Sequence, residues 1–178
     1  MGKRLLAYFL LGILLGPLAA ADSADGPSNA LRDAQKLADC MAAMDGKCTV
    51  DHMYVPFFEK NGLSRAEAAE KMVEMYDRAK AAGMPSPKYQ LTKPEHVMTG
   101  DDRQYVFVPY VVSVDEPDKS ADKKSIRMRA FFIGISTDSG ASWQFLDGIS
   151  VNPDSMKTIM PSYAGQALPP VGPVPSGL

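Results

Sequence analysis

Hydrophobic positions recur at two different periods along the chain, and the change of period divides it. From Asn29, the residues Leu31, Ala34, Leu37, Ala38, Met41 and Met44 fall on one face at helical spacing. They predict an amphipathic helix ending at Asp45-Gly46, with Gly46 suited to the left-handed position after a helix. Thr49 is placed to cap a second helical stretch, Val50 to Lys60, which Pro56 must kink or divide because proline has no amide donor. Asn61-Gly62 closes that stretch. Ser64 and Glu67 then form an S-x-x-E capping box. The helix behind it has an apolar stripe of Ala68, Met72, Met75, Tyr76 and Ala79. Glu67/Lys71 and Glu74/Arg78 pair at i,i+4 on its wet side. Gly83 stops it, and Pro85 and Pro87 prevent its continuation.

Beyond Pro87 the pattern becomes strand-like. Lys88 to Met98 reads as a first strand interrupted at Pro94, followed by a turn at Gly100-Asp101-Asp102. Gln104 to Val114 is apolar on both faces, the pattern of a central strand. Pro109 within it predicts a bulge or an amide position facing an edge. Glu116 to Lys123 is a polar loop. Ser125 to Ser136 is a third strand, Trp143 to Ser150 a fourth, and Pro153 to Ile159 a last helical turn. The tail from Pro169 to Leu178 holds four prolines and two glycines and is expected to be disordered or draped. No internal repeat is present. Helices first and a meander afterwards predict an α+β fold, with N-terminal helices packed on one face of a curved, mainly antiparallel four-stranded sheet. The predicted domain covers residues 29–160, after a polar leader at 22–28 and before a Pro-rich tail at 161–178.

The first residues change this picture by adding a compartment. Lys3 and Arg4 are a short positive region, Leu5 to Leu15 an apolar run, Gly16-Pro17 a breaker, and Ala19-Ala20-Ala21 the small residues of a cleavage site. A signal peptide over residues 1–21 is expected, cut before Asp22, and the run is shorter than the roughly 20 residues of a membrane anchor. Export to the periplasm or outside the cell follows, with no stable anchor after cleavage. Removing Lys3 and Arg4 takes the net charge from −2 to −4. That balance, with no long basic run, excludes nucleic acid as the expected partner.

Oxidising surroundings give the two cysteines, Cys40 and Cys48, a role as a disulfide. A bridge closing so short a loop stabilises by about 2–3 kcal/mol on the chain-entropy model. Cys40, Met41, Met44, Cys48, His52 and Met53 also make a cluster of soft donors that suits Cu(I). Their spacing matches no established ligand pattern, and no metal or cofactor is expected. Ser136 to Trp143 reads S-x-D-x-G-x-x-W and resembles the repeated Asp boxes of sialidases. A single copy in a chain without propeller length points to a structural hairpin carried by Ser136, Asp138, Gly140 and Trp143. The two histidines, His52 and His96, have no Ser, Cys or Asp partner at a telling spacing. Arg127 and Arg129 share a strand face with Phe131 and Ile133, where they suit a carboxylate. Tyr110 and Asp147 are polar groups on central strands. His52, Tyr110, Arg127, Arg129 and Asp147 are therefore the ligand-pocket candidates, with no complete catalytic set among them.

The order of elements, with Tyr54-Val55-Pro56-Phe57-Phe58 leading to Gly62 and the closing run Ile135 to Asp147, resembles the nuclear transport factor 2-like superfamily. In particular it is similar to small exported bacterial members, over roughly residues 29–160. The resemblance implies helices folded over a bent sheet around an apolar pocket. Its enzymatic members' Asp/Tyr or Asp/His sets do not map residue by residue onto this chain. The expectation is a non-enzymatic binding protein of the bacterial envelope that recognises a small apolar ligand or an envelope protein, an inhibitor or immunity role included. The alternative is a pocket enzyme of isomerase, dehydratase or hydrolase type using His52, Tyr110 and Asp147. A third reading is assembly as a homodimer through the exposed sheet face.

Overall fold

A computed structural model of the chain describes residues 25–115, 125–161 and 168–174. The expected signal peptide, the loop Glu116 to Lys123 and the end of the tail lie outside the described residues.

The first helix, α1 (Gly26–Ala42), begins earlier than its periodicity predicts. Gly26 and Pro27 belong to its first turn rather than to a leader, because a first-turn amide has no intrahelical acceptor and proline loses nothing there. Ala30, Ala34, Leu37 and Ala38 are buried, and three of these four side chains are single methyls. Small side chains let the helix axis approach the sheet closely.

The exit from α1 differs from the expectation. Met44, with φ +50°, takes the left-handed conformation, and Gly46 starts a new helix, α2 (Gly46–His52). Asp45 rather than Thr49 caps it, its carboxylate accepting the Cys48 amide at 3.0 Å. The Thr49 hydroxyl donates instead to the Asp45 carbonyl at 2.7 Å. The chain is extended at Met53 and Tyr54, and α3 (Val55–Lys60) follows with Pro56 in its first turn. The predicted stretch Val50 to Lys60 is therefore two helices. Then comes α4 (Arg65–Ala81), with both halves of the Ser64/Glu67 capping box formed. Gly46 is a glycine because α4 crosses it. A β-carbon there would lie 2.7 Å from the Met72 carbonyl carbon and 2.8 Å from Val73 Cα.

The sheet comprises β1 (Lys88–Leu91), β2 (Val97–Gly100), β3 (Arg103–Asp115), β4 (Ser125–Ser136), β5 (Gln144–Asp147) and β6 (Gly172–Pro173). All ladders are antiparallel. Lys88 to Met98 is thus not one strand. β1 and β2 lie end to end along one edge of β3, parted around Pro94, and β5 and β6 share the far edge of β4. Six strands fill four positions, which is why four were expected. Asp101 and Asp102, at φ +53° and +59°, make the two-residue hairpin turn between β2 and β3. The carbonyl of Pro109 accepts the Thr92 amide at 2.8 Å. Its nitrogen therefore faces the same edge, in the gap between β1 and β2, where no ladder donor is missed. The fourth strand ends at Asp147, earlier than predicted, because that carboxylate caps a 3-10 turn at Gly148–Ser150.

Alternation assigns the two sheet faces. Val106, Val108, Tyr110, Ala130, Phe132 and Phe145 pack with Trp143 against α1. Tyr105, Phe131, Ile133, Ile135 and Leu146 point the other way, where they meet Tyr54, Met160 and the helix α5 (Pro153–Ile159) through Met156 and Ile159. Helices therefore cover both faces, not one. The side chains of Phe131, Ile133 and Leu146 each gain about 1.5–3 kcal/mol from burial, so an outer apolar face of that size requires a cover. Residues 168–174 of the tail lie along the same sheet, with β6 pairing Met128 and Arg129 of β4. Val50, Phe58 and Ala68 hold α2, α3 and α4 together in a smaller cluster. Among the described residues, no helix is long and apolar enough to cross a membrane.

Candidate functional site

The polar groups that meet on the sheet face covered by α1 come from four elements. Tyr110 on β3 and Asp147 at the end of β5 both point toward the helices, because Asp147 lies opposite Phe132 and Tyr110 opposite Ala130. The Tyr110 hydroxyl donates to Asp147 Oδ1 at 2.9 Å, and the Ile149 amide donates to the same oxygen at 3.1 Å. Tyr89 on β1 meets Tyr110 edge to face, with ring centroids 5.5 Å apart, and Tyr110 lies against Phe132 at 4.4 Å. Tyr76 reaches over from α4, its hydroxyl 3.5 Å from the Thr49 hydroxyl of α2. Tyr110 is buried, whereas Tyr76, Tyr89 and Asp147 are half-buried, and the charge of Asp147 acts on both half-buried phenols.

The electrostatics follow from that setting. Burial pushes the Asp147 carboxyl up, against the opposing pull of the Ile149 amide and the Tyr110 hydroxyl. Burial also raises the Tyr110 phenol, reinforced by the charge of Asp147 and by the hydrogen bond to it. Tyr89 is raised by burial and then by Tyr76 and Asp147. Tyr76 is raised by burial and by Asp147, against the contact with Thr49. All three phenols therefore stay protonated at neutral pH. The site offers three hydroxyls and one carboxylate of lifted pKa on an aromatic floor. Such a set can hold a hydroxyl or carbonyl oxygen of an otherwise apolar molecule, and Asp147 can accept a proton.

The five sequence-predicted candidates divide three ways. Tyr110 and Asp147 are brought together. Arg127 and Arg129 sit on the opposite sheet face, and Arg129 lines a cleft of about 320 Å³ with Pro109 and the tail residues Pro169, Pro170 and Val174. His52 closes α2, where one of its ring nitrogens and the sulfurs of Cys40 and Cys48 all lie within 4.8 Å of one another. His96 is exposed, 3.8 Å from Glu95, on the rim of a cleft of about 450 Å³ floored by Met98, Phe107 and Pro109. The cysteines form the expected Cys40–Cys48 disulfide, with Cα atoms 5.5 Å apart. Tyr76 and Tyr89 were missed as site residues. Tyr76 stands in a helical apolar stripe and Tyr89 in a strand alternation, so both rings read as core. The signal available was that each puts a phenol on an inward-facing position, where a hydroxyl needs a partner.

The Ser136 to Trp143 hairpin is fully tied. Asp138 accepts the Ser142 amide at 2.9 Å and the Ser142 hydroxyl at 2.6 Å, and the Ser136 hydroxyl at 2.8 Å. Gly140 has φ +85°, and its carbonyl accepts the Trp143 indole N–H at 3.2 Å and the Asn29 side chain at 3.1 Å. Asp33 of α1, buried, accepts the Trp143 amide at 3.3 Å, which fastens the helix to the hairpin.

No family model matches the chain, and no curated protein does. Among solved structures it is similar to a candidate dehydratase of the nuclear transport factor 2-like family from Streptomyces avermitilis. The two share 14% identity with a TM-score of 0.42, over 67% of this chain and 90% of that one. It is also similar to a candidate calcium/calmodulin-dependent protein kinase II association domain from Xanthomonas campestris, at 16% identity and a TM-score of 0.38, over 65% of this chain and 78% of that one.

Proposed function

We propose that this is an exported binding protein of the bacterial envelope whose Tyr110–Asp147 site, on the sheet face covered by α1, takes a small apolar molecule bearing a hydroxyl or carbonyl group. The observation that carries the reading is the Tyr110–Asp147 pair, hydrogen-bonded at 2.9 Å on an aromatic floor and flanked by the half-buried phenols of Tyr76 and Tyr89. One Asp147 oxygen is engaged by Tyr110 and Ile149, and among the described residues the other is left to meet a ligand. Export rests on the n-region, apolar run and Ala-rich cleavage site at residues 1–21, and the Cys40–Cys48 bridge suits that compartment.

Native mass spectrometry of the protein taken gently from its own envelope tests both halves. A mature chain beginning at Asp22 and carrying a small-molecule mass is expected, with that mass lost in Asp147→Asn. A bare chain, or one whose cargo ignores Asp147→Asn, overturns the binding reading. A chain that retains residues 1–21 overturns export.

A second reading has one observation in its favour. The Asp147 carboxyl is lifted by burial and anchored by Tyr110, which fits a base that takes and returns a proton in an isomerase or dehydratase. His52, expected to assist, lies beside the disulfide instead. Turnover of a keto- or hydroxy-aromatic compound that disappears in Asp147→Asn supports this reading. Binding without turnover favours the first.

A further inference from the structure

The corner between α1 and α2 gathers a donor set that the Tyr110–Asp147 site does not use. Cys40 lies in the last turns of α1. Cys48 and His52 are four residues apart on α2 and therefore share one helix face. The left-handed Met44 and the capping Asp45 turn the chain between them, and the Asp45 amide donates to the Cys40 carbonyl at 3.0 Å. The outcome is that both sulfurs and a ring nitrogen of His52 lie within 4.8 Å of one another. Cys40 is buried, while Cys48 and His52 are half-buried, so the group can be reached from one side.

We propose that Cys40, Cys48 and His52 form a redox-gated site for one Cu(I) ion, closed as the disulfide and opened by reduction. The donor chemistry selects the ion. Two thiolates and an imidazole are soft and intermediate ligands, and three donors suit the trigonal geometry that Cu(I) accepts, whereas structural zinc takes four. Metal–sulfur bonds of about 2.3 Å and metal–nitrogen bonds of about 2.0 Å place the donor atoms of such a site roughly 3.5–4 Å apart. From the observed spacing the two sulfurs must separate, which breaking their bond allows, and the ring nitrogen, already within 4.8 Å of them, closes the remainder by a side-chain adjustment. Met44, buried at the same turn, keeps the surroundings apolar.

The steps balance. A dithiol reductant gives two electrons and two protons to the Cys40–Cys48 bond and is itself oxidised to a disulfide, leaving two thiols on the protein. Attack begins at the more accessible Cys48. Cu(I) then displaces both thiol protons to solvent and bonds the two sulfurs and one nitrogen, keeping its +1 state. Oxidised protein has no thiolate to offer and leaves the ion in solution.

The test uses the mature chain in both redox states, under nitrogen, titrated with Cu(I) against a chromophoric chelator. Reduced protein is expected to take one equivalent and oxidised protein none. X-ray absorption is expected to show two sulfur neighbours and one nitrogen. His52→Ala keeps both cysteines and replaces a half-exposed side chain, so the fold survives. It is expected to lower the Cu(I) affinity by about tenfold or more, the loss that even an outer-shell partner causes. His96→Ala is expected to change nothing. Equal uptake by oxidised and reduced protein, which would point to methionine sulfur alone, overturns the proposal. So does a His52→Ala protein that matches the parent in affinity and in its absorption spectrum.

Discussion

Replacing Gly46 by alanine adds one methyl group at the closest approach of α2 to α4. That methyl would sit 2.7 Å from the Met72 carbonyl carbon and 2.8 Å from Val73 Cα. Carbon pairs are most favourable at about 3.5–4.0 Å, so α2 must withdraw by roughly 0.7 Å or more. Both obstacles are backbone atoms of a helix and cannot swing aside. Overpacking of this kind costs about 1–3 kcal/mol, and the rigid neighbours put Gly46→Ala in the upper half of that range. Alanine also restricts the unfolded chain and returns about 0.4–1 kcal/mol. The net expectation is a loss of about 1–2.5 kcal/mol, and for a domain of this size a fall in Tm of about 2–10 °C. The withdrawal also lengthens the Thr49–Tyr76 hydroxyl contact, already long at 3.5 Å, so binding at the Tyr110–Asp147 site weakens along with stability. Urea unfolding followed by Trp143 fluorescence, with the disulfide intact, measures the stability effect, and titration of a ligand of that site the binding effect. An unfolding midpoint that stays put or rises would refute the close crossing of α2 and α4.

Asp147→Asn is expected to stabilise the fold at neutral pH while abolishing binding. Burial raises the folded carboxyl, so the native state holds its proton longer, and stability falls as pH rises from the unfolded value of about 3.9 through the raised one. The asparagine protein should lack that slope in pH-dependent denaturation. Asp33→Ala is expected to cost about 1–3 kcal/mol, because the buried Trp143 amide loses its acceptor. Burial pushes the Asp33 carboxyl up, but hydrogen bonds and charge from Arg32 and Lys36 outweigh it and hold it low. Its stabilisation is therefore present above pH about 3.9 and disappears as pH falls through the lower folded value, which acid unfolding with and without Asp33 will show. Asp138→Ala, which frees the Ser142 amide and hydroxyl, is expected to cost about 1 kcal/mol and to speed amide exchange at Ser142.

Helix-or-strand character was legible wherever one period ran unbroken, as over α4 and Ser125 to Ser136, which the structure reproduces closely. Boundaries failed where a tertiary contact or a local cap overrode the local signal. Val50 to Lys60 broke at Met53 and Tyr54 because the Tyr54 amide is drawn to the Phe145 carbonyl of β5 at 2.9 Å, a partner no local rule could supply. Lys88 to Met98 broke because Pro94 cannot continue a ladder, yet both halves find β3 again. Half of the site was legible, since Tyr110 and Asp147 are polar residues in otherwise apolar strands. The other half was not, because tyrosine satisfies an apolar pattern with its ring and keeps its hydroxyl in reserve. Whether Tyr76 meets Thr49 depends on how near α4 comes to α2, and that spacing is set by the missing side chain of Gly46. A glycine after a helix has two explanations, a left-handed turn or a close crossing, and sequence rules favour the first. Met44 taking the left-handed turn leaves Gly46 to the crossing, and thereby makes it the residue that sets how closely α2 and α4 pack.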